Sequence, residues 1–153
     1  MRALAFALVC ALALPASLHA DEAQTAAAVA RLEAVMDAFE AGDHTALMAA
    51  RPPKQLAVMI EAANTTLEAL LAAHAAKVEK SLQIVTVEYA SVLADTAVLK
   101  ETPTGKPYTE LMIQEYWRMD EHNMHHIVSP VVALEEDGEW YFTSVSKPRD
   151  VLS

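Results

Sequence analysis

Hydrophobic positions along this chain follow two different periods, and the change falls near Ser81. Between residues 22 and 41, Val29, Leu32, Val35, Met36 and Phe39 recur at spacings of three and four, which predicts an amphipathic helix. Gly42 is placed to end it. Asp43 can then cap a short second helix through Leu47 and Met48. Arg51-Pro52-Pro53 closes that helix, because neither proline can donate a backbone hydrogen bond. From Lys54 to roughly Lys80 the stripe Leu56, Met59, Ile60, Ala63, Leu67, Leu70, Leu71 and Val78 predicts a third, longer helix. From Leu82 onward the period is two. The runs "LQIVTVEYASVLA" and "TAVLKET" read as strands joined by a tight hairpin at Asp95-Thr96. "TGKP" supplies a turn, and "TELMIQEYWRM" a long strand. On that strand Leu111, Ile113, Trp117 and Met119 share one face, while Met112, Gln114, Tyr116 and Arg118 share the other. Asp137-Gly138 between "VVALEE" and "EWYFTSV" is a hairpin signal. About five antiparallel strands behind segregated helices predict an α+β fold rather than a parallel α/β one.

The first twenty residues change this picture, because they read as a leader rather than as part of the fold. Arg2 is a minimal positive segment, "ALAFALVCALAL" is an apolar stretch, Pro15 breaks it, and "LHA" precedes Asp21. That pattern predicts a signal peptide over residues 1–20, cleaved after Ala20, and a periplasmic or secreted protein. The run is shorter than the roughly 20 apolar residues a membrane span requires, so no span is expected. Cys10 is the only cysteine and lies inside the leader, so residues 21–153 carry neither thiol nor disulfide. They suit a single domain. Loss of Arg2 with the leader moves the formal net charge from −10 to −11. An acidic chain is a poor partner for nucleic acid phosphates or an anionic membrane surface. Cationic small molecules, metal ions or basic proteins remain as partners, and a small ligand in a pocket or a second copy of the chain is also expected.

Two segments, "FEAGDHTALMAARPPKQL" (39–56) and "LEEDGEWYFTSV" (134–145), resemble parts of nuclear-transport-factor-2-like domains. The first is similar to the segment where a first helix ends at Gly-Asp before a short helix and a proline-bounded step. The second is similar to their last hairpin. The resemblance covers about residues 25–146. It implies a cone, a curved antiparallel sheet wrapped around a long helix, with a pocket inside. Members of that superfamily include enzymes, transport factors and plain binding or dimerisation modules, so the fold by itself assigns no activity.

Three groups of residues carry candidate chemistry. Glu115 interrupts an apolar strand face between Ile113 and Trp117. If that face lines a cavity, desolvation raises the carboxyl pKa and makes a general acid or base; a bulge or an exposed strand would account for it equally. Trp117, Tyr89 and Met59 are candidate walls for an apolar ligand, and equally ordinary core. "MDEHNMHH" (119–126) gathers Asp120, His122, His125 and His126, a donor set suited to copper or zinc. Adjacent His125 and His126 face opposite sides of a regular strand, so the segment reads first as a polar connection between strands. No cofactor is otherwise expected, and no glycine-rich phosphate loop or G-x-S-x-G occurs. The leading reading is a binding or interaction module with a pocket for a small, partly apolar ligand, or with a sheet face that pairs two copies. The alternative is a small acid–base enzyme of the isomerase, dehydratase or hydrolase kind, using Glu115 with one of His122, His125 or His126. A copper or zinc carrier is the third.

Overall fold

The structure, a computed structural model, describes residues 16–143, with side chains described from residue 20 onward. The apolar leader segment with Cys10, and residues 144–153, lie outside the described residues. Four helices, α1 (Ala16–Glu40), α2 (Ala46–Ala49), α3 (Pro53–Ala63) and α4 (Leu67–Leu82), precede four strands, β1 (Thr86–Glu101), β2 (Pro107–Arg118), β3 (Met124–Glu136) and β4 (Glu139–Thr143). The strands form one antiparallel meander in the order β1-β2-β3-β4. The architecture is α+β. Helix α1 runs without a break through the expected cleavage point between Ala20 and Asp21.

The core forms where α1 meets one face of the sheet. Ala28, Val29, Leu32, Val35 and Met36 bury the apolar stripe of α1 against Leu111, Val131, Ala133 and Phe142. Burying each large aliphatic side chain of this kind contributes about 1.5–3 kcal/mol. Helix α1 ends as its glycine predicts. Gly42 takes a φ of +102°, Gly42 N–H donates to the Phe39 carbonyl at 3.0 Å, and Asp43 N–H donates to the Ala38 carbonyl at 2.9 Å. These two bonds are the 5→2 and 6→1 pair that close a helix on a left-handed residue. The Asp43 carboxylate then accepts from Thr45 N–H at 3.0 Å and from the Thr45 hydroxyl at 2.6 Å, which turns the chain into α2. At the far end of α2, Phe142 N–H donates to the Ala50 carbonyl at 2.8 Å and ties this step to the edge strand β4.

The expected single helix over 54–80 is two helices bent by 88°. Asn64 is the cause: it sits at φ 47° and ψ 53°, a left-handed conformation that asparagine tolerates better than most residues. The Thr66 hydroxyl then accepts from Ala69 N–H at 3.2 Å and starts α4 afresh. The long helix whose apolar stripe packs on the sheet is α1. Helix α4 has no fully buried residue. Among the described residues no single helix is long and apolar enough to cross a membrane.

The expected hairpin at Asp95-Thr96 is a bulge inside one long strand, which leaves four strands instead of five. Leu93 pairs with Met112 and Val98 with Glu110, so residues 94–97 stand opposite Leu111 alone. The Thr96 hydroxyl holds the bulge, donating to the Leu93 carbonyl at 2.6 Å and accepting from Met112 N–H at 2.9 Å. A second irregularity makes Glu88 an extra residue between the pairs Val87–Trp117 and Tyr89–Tyr116. It changes the alternation, so Val87 and Ala90 face the helices while Tyr89 faces away with Tyr116. Asp137-Gly138 does form the last hairpin. Both residues have positive φ, 55° and 82°, the geometry of a two-residue turn matched to strand twist.

Candidate functional site

Between the helices and the inner sheet face lies a cavity of about 420 Å³. Leu32, Met36 and Phe39 of α1, Leu47 and Met48 of α2, Val78 and Leu82 of α4, and Val87, Ile113, Val131 and Phe142 of the sheet give it a mostly apolar wall. The polar exceptions are Glu40, Arg51, His74, Lys77, Ser81, Glu115 and Thr143, together with the indole of Trp117. Their backbone elements place them. Strand β2 alternates, so Ile113, Glu115 and Trp117 enter from one side, while α4 presents His74 and Lys77, three residues apart, from the other.

Three of these polar groups are buried and make no hydrogen bond among the described residues: His74 Nε2, Trp117 Nε1 and Thr143 Oγ1. Burial lowers the pKa of His74, and the nearby positive charges of Arg51 and Lys77 lower it further, which favours the neutral imidazole. Glu115 is half-buried, and desolvation raises its carboxyl above the ordinary value of 4.5. The neighbouring Trp117 indole offsets part of that rise without reaching a hydrogen bond of normal geometry. Glu115 enters the cavity from β2, His74 and Lys77 from α4, and Arg51 from just beyond α2.

Of the residues singled out in the sequence, Glu115 and Trp117 line this cavity. Tyr89 lies on the outer sheet face, 51% exposed, tilted against Tyr116 with ring centres 6.0 Å apart. Met59, on α3, is not among the lining residues. "MDEHNMHH" is the β2–β3 turn with the start of β3. Asp120 holds it together: Oδ1 accepts from His122 N–H at 2.8 Å and from Asn123 N–H at 2.9 Å, and Oδ2 accepts from the Asn123 side chain. Those bonds, the Asn123 side chain first, lower the Asp120 pKa. His125 pairs with Trp117, at an exposed end of the sheet. His126 pairs with Tyr116 and stacks on it, rings 4.3 Å apart and 8° from parallel. His122 is exposed in the turn. Among the described residues no three His, Cys, Asp or Glu side chains form a group that could hold a metal. None of His122, His125 and His126 lines the cavity that holds Glu115.

His74, Arg51 and Lys77 were not legible as site residues by motif. One signal does point to His74. It falls within the α4 stripe of Leu67, Leu70, Leu71 and Val78, four residues after Leu70 and four before Val78. A polar residue interrupting a helix stripe is the helical counterpart of Glu115 interrupting a strand face.

Glu115 makes stability depend on pH in a stated direction. A carboxyl whose folded pKa exceeds its unfolded one binds its proton more tightly in the folded state. The folded chain therefore loses stability as pH rises through the window between those two values, and the loss is complete above it. Glu115→Gln lacks this penalty. The variant is expected to gain stability relative to wild type as pH rises above the ordinary carboxyl value of 4.5, read from paired urea midpoints. A difference between the two proteins that stays constant with pH would show that the carboxyl is solvated.

The chain thus belongs, by its architecture, to the α+β proteins, with an apolar cavity set between helices and sheet and three orphaned polar groups within it. Compared with known proteins, it matches no family model, no curated protein and no solved structure.

Proposed function

We propose that this chain is a small binding module, a cone of the nuclear-transport-factor-2-like kind, whose cavity takes one small, partly apolar molecule. One observation carries the reading: His74 Nε2, Trp117 Nε1 and Thr143 Oγ1 are buried, lack partners among the described residues, and belong to residues lining the same apolar cavity. A buried hydrogen-bonding group left without a partner costs about 1–3 kcal/mol. Three such groups around one cavity oppose folding unless water or a bound molecule gives them partners, and a ligand with polar atoms can take that place. The volume of about 420 Å³ lies within the roughly 300–1,000 Å³ common for small-molecule sites, as does the mix of apolar wall and few polar groups. The acid–base alternative keeps Glu115 in the cavity but lacks its expected histidine partner, so binding is the better-supported reading.

A neutral apolar dye tests this. N-phenyl-1-naphthylamine is expected to bind saturably at one site, with a rise in its fluorescence. Ala90 lines the cavity opposite Glu115, so Ala90→Trp fills it and is expected to weaken the dye about tenfold or more. Circular dichroism checks that the variant is folded. Equal dye affinity in a folded Ala90→Trp protein would place the dye elsewhere and end the proposal.

A further inference from the structure

The polar groups of the cavity fall into two sets, and one of them is cationic. Arg51 follows the last residues of α2, where the bond from Phe142 N–H to the Ala50 carbonyl anchors the backbone to the sheet edge. His74 and Lys77 share a face of α4. All three line the cavity, and among the described residues neither Arg51 nor Lys77 is in an ion pair. Both stand near enough to His74 to act on it electrostatically, and its Nε2 is buried without a partner. Glu40, exposed on α1, is the other charged residue of the helical wall. Glu115 and Trp117 belong to β2.

Resting on the binding reading above, we infer that the ligand is an anionic amphiphile. Its carboxylate sits among Arg51, His74 and Lys77, and its apolar body extends along Val78, Leu82, Ile113 and Phe142 towards Trp117. Arginine and lysine supply charge-assisted hydrogen bonds to a carboxylate, and the orphaned imidazole nitrogen gains a partner when it carries a proton. In an acidic chain, two cations on one apolar cavity also make the site locally attractive to an anion that the rest of the surface repels.

Displacement of N-phenyl-1-naphthylamine from the full chain by decanoate, 1-decanol and decylammonium tests the charge directly. Decanoate is expected to bind about tenfold more tightly than 1-decanol, with decylammonium weakest. Arg51→Gln and Lys77→Gln are each expected to reduce the preference for decanoate over 1-decanol several-fold. Arg31→Gln, on an exposed position of α1, is the control that leaves it unchanged. Lys77 is exposed, so its variant keeps the test valid if Arg51→Gln fails to fold. A protein that binds the dye but takes 1-decanol as well as decanoate, or whose preference survives both variants, overturns this inference alone. A protein that binds neither the dye nor any of the three amphiphiles overturns the binding reading as well.

Discussion

Leu111→Ala is expected to destabilise the protein by about 2–5 kcal/mol, the largest effect of any single truncation considered. Leu111 is 1% exposed and lies in β2, the strand with a neighbour on each side. It packs in the cluster formed by Val29, Leu32, Val35 and Met36 of α1 with Val131, Ala133 and Phe142 of the sheet. On its β1 side the four bulged residues 94–97 pass opposite this one position, so no single cross-strand partner can move in to fill the space. The cost therefore combines lost burial with a cavity that cannot collapse fully. Urea denaturation measures it, and the midpoint should fall by about 1 M or more at an ordinary slope. Leu67→Ala is the comparison. Leu67 is 45% exposed at the start of α4, where alanine is a good helix former, so a change within about 0.5 kcal/mol is expected. If the two truncations cost the same, the helix–sheet core does not organise this fold.

Local periodicity made α1 and β2 legible, because in each the pattern spans enough residues to have one solution. The buried face of α1 is the stripe of Val29, Leu32, Val35 and Met36 read from spacing alone. The inner face of β2 is Leu111, Ile113, Glu115 and Trp117, which is why Glu115 could be placed towards a cavity before any coordinates. What was not legible depended on groups far apart in sequence or on a choice between equal local chemistries. Asn64-Thr65-Thr66 sits in a stripe that continues on both sides, and alanines around it favour helix. The break needs Asn64 in the left-handed region and the Thr66 cap, both available and neither compulsory. Tyr89 was a candidate wall for a ligand as one of the strand aromatics, and the extra residue Glu88 turned it outward. His74 and Arg51 meet only because the 88° bend and the anchor at Ala50 bring α4 and the end of α2 to one cavity.

The Asp95-Thr96 pair illustrates the same limit and yields the second large effect. Asp and Thr carry turn chemistry whether a chain reverses or merely bulges. Here a hydroxyl decides. Thr96 Oγ1 donates to the Leu93 carbonyl and accepts from Met112 N–H on the neighbouring strand, sixteen residues on in sequence, taking the place of a ladder bond that the bulge removes. Thr96→Val keeps the branched shape and deletes both bonds. Met112 N–H is then left in a partly buried place with no acceptor, and the combined loss is expected to be about 2–3 kcal/mol. Thr109→Val is the matched control. Thr109 is fully buried on β2, but among the described residues its hydroxyl makes no hydrogen bond, so replacing it with a methyl group should cost nothing and is expected to stabilise slightly. Amide exchange adds a local readout: the Met112 proton should exchange faster in Thr96→Val and keep its wild-type rate in Thr109→Val. Equal stability changes in the two variants would mean that the Thr96 hydroxyl does not hold the bulge. The strand would then owe its continuity past Asp95 to packing around Leu111 instead.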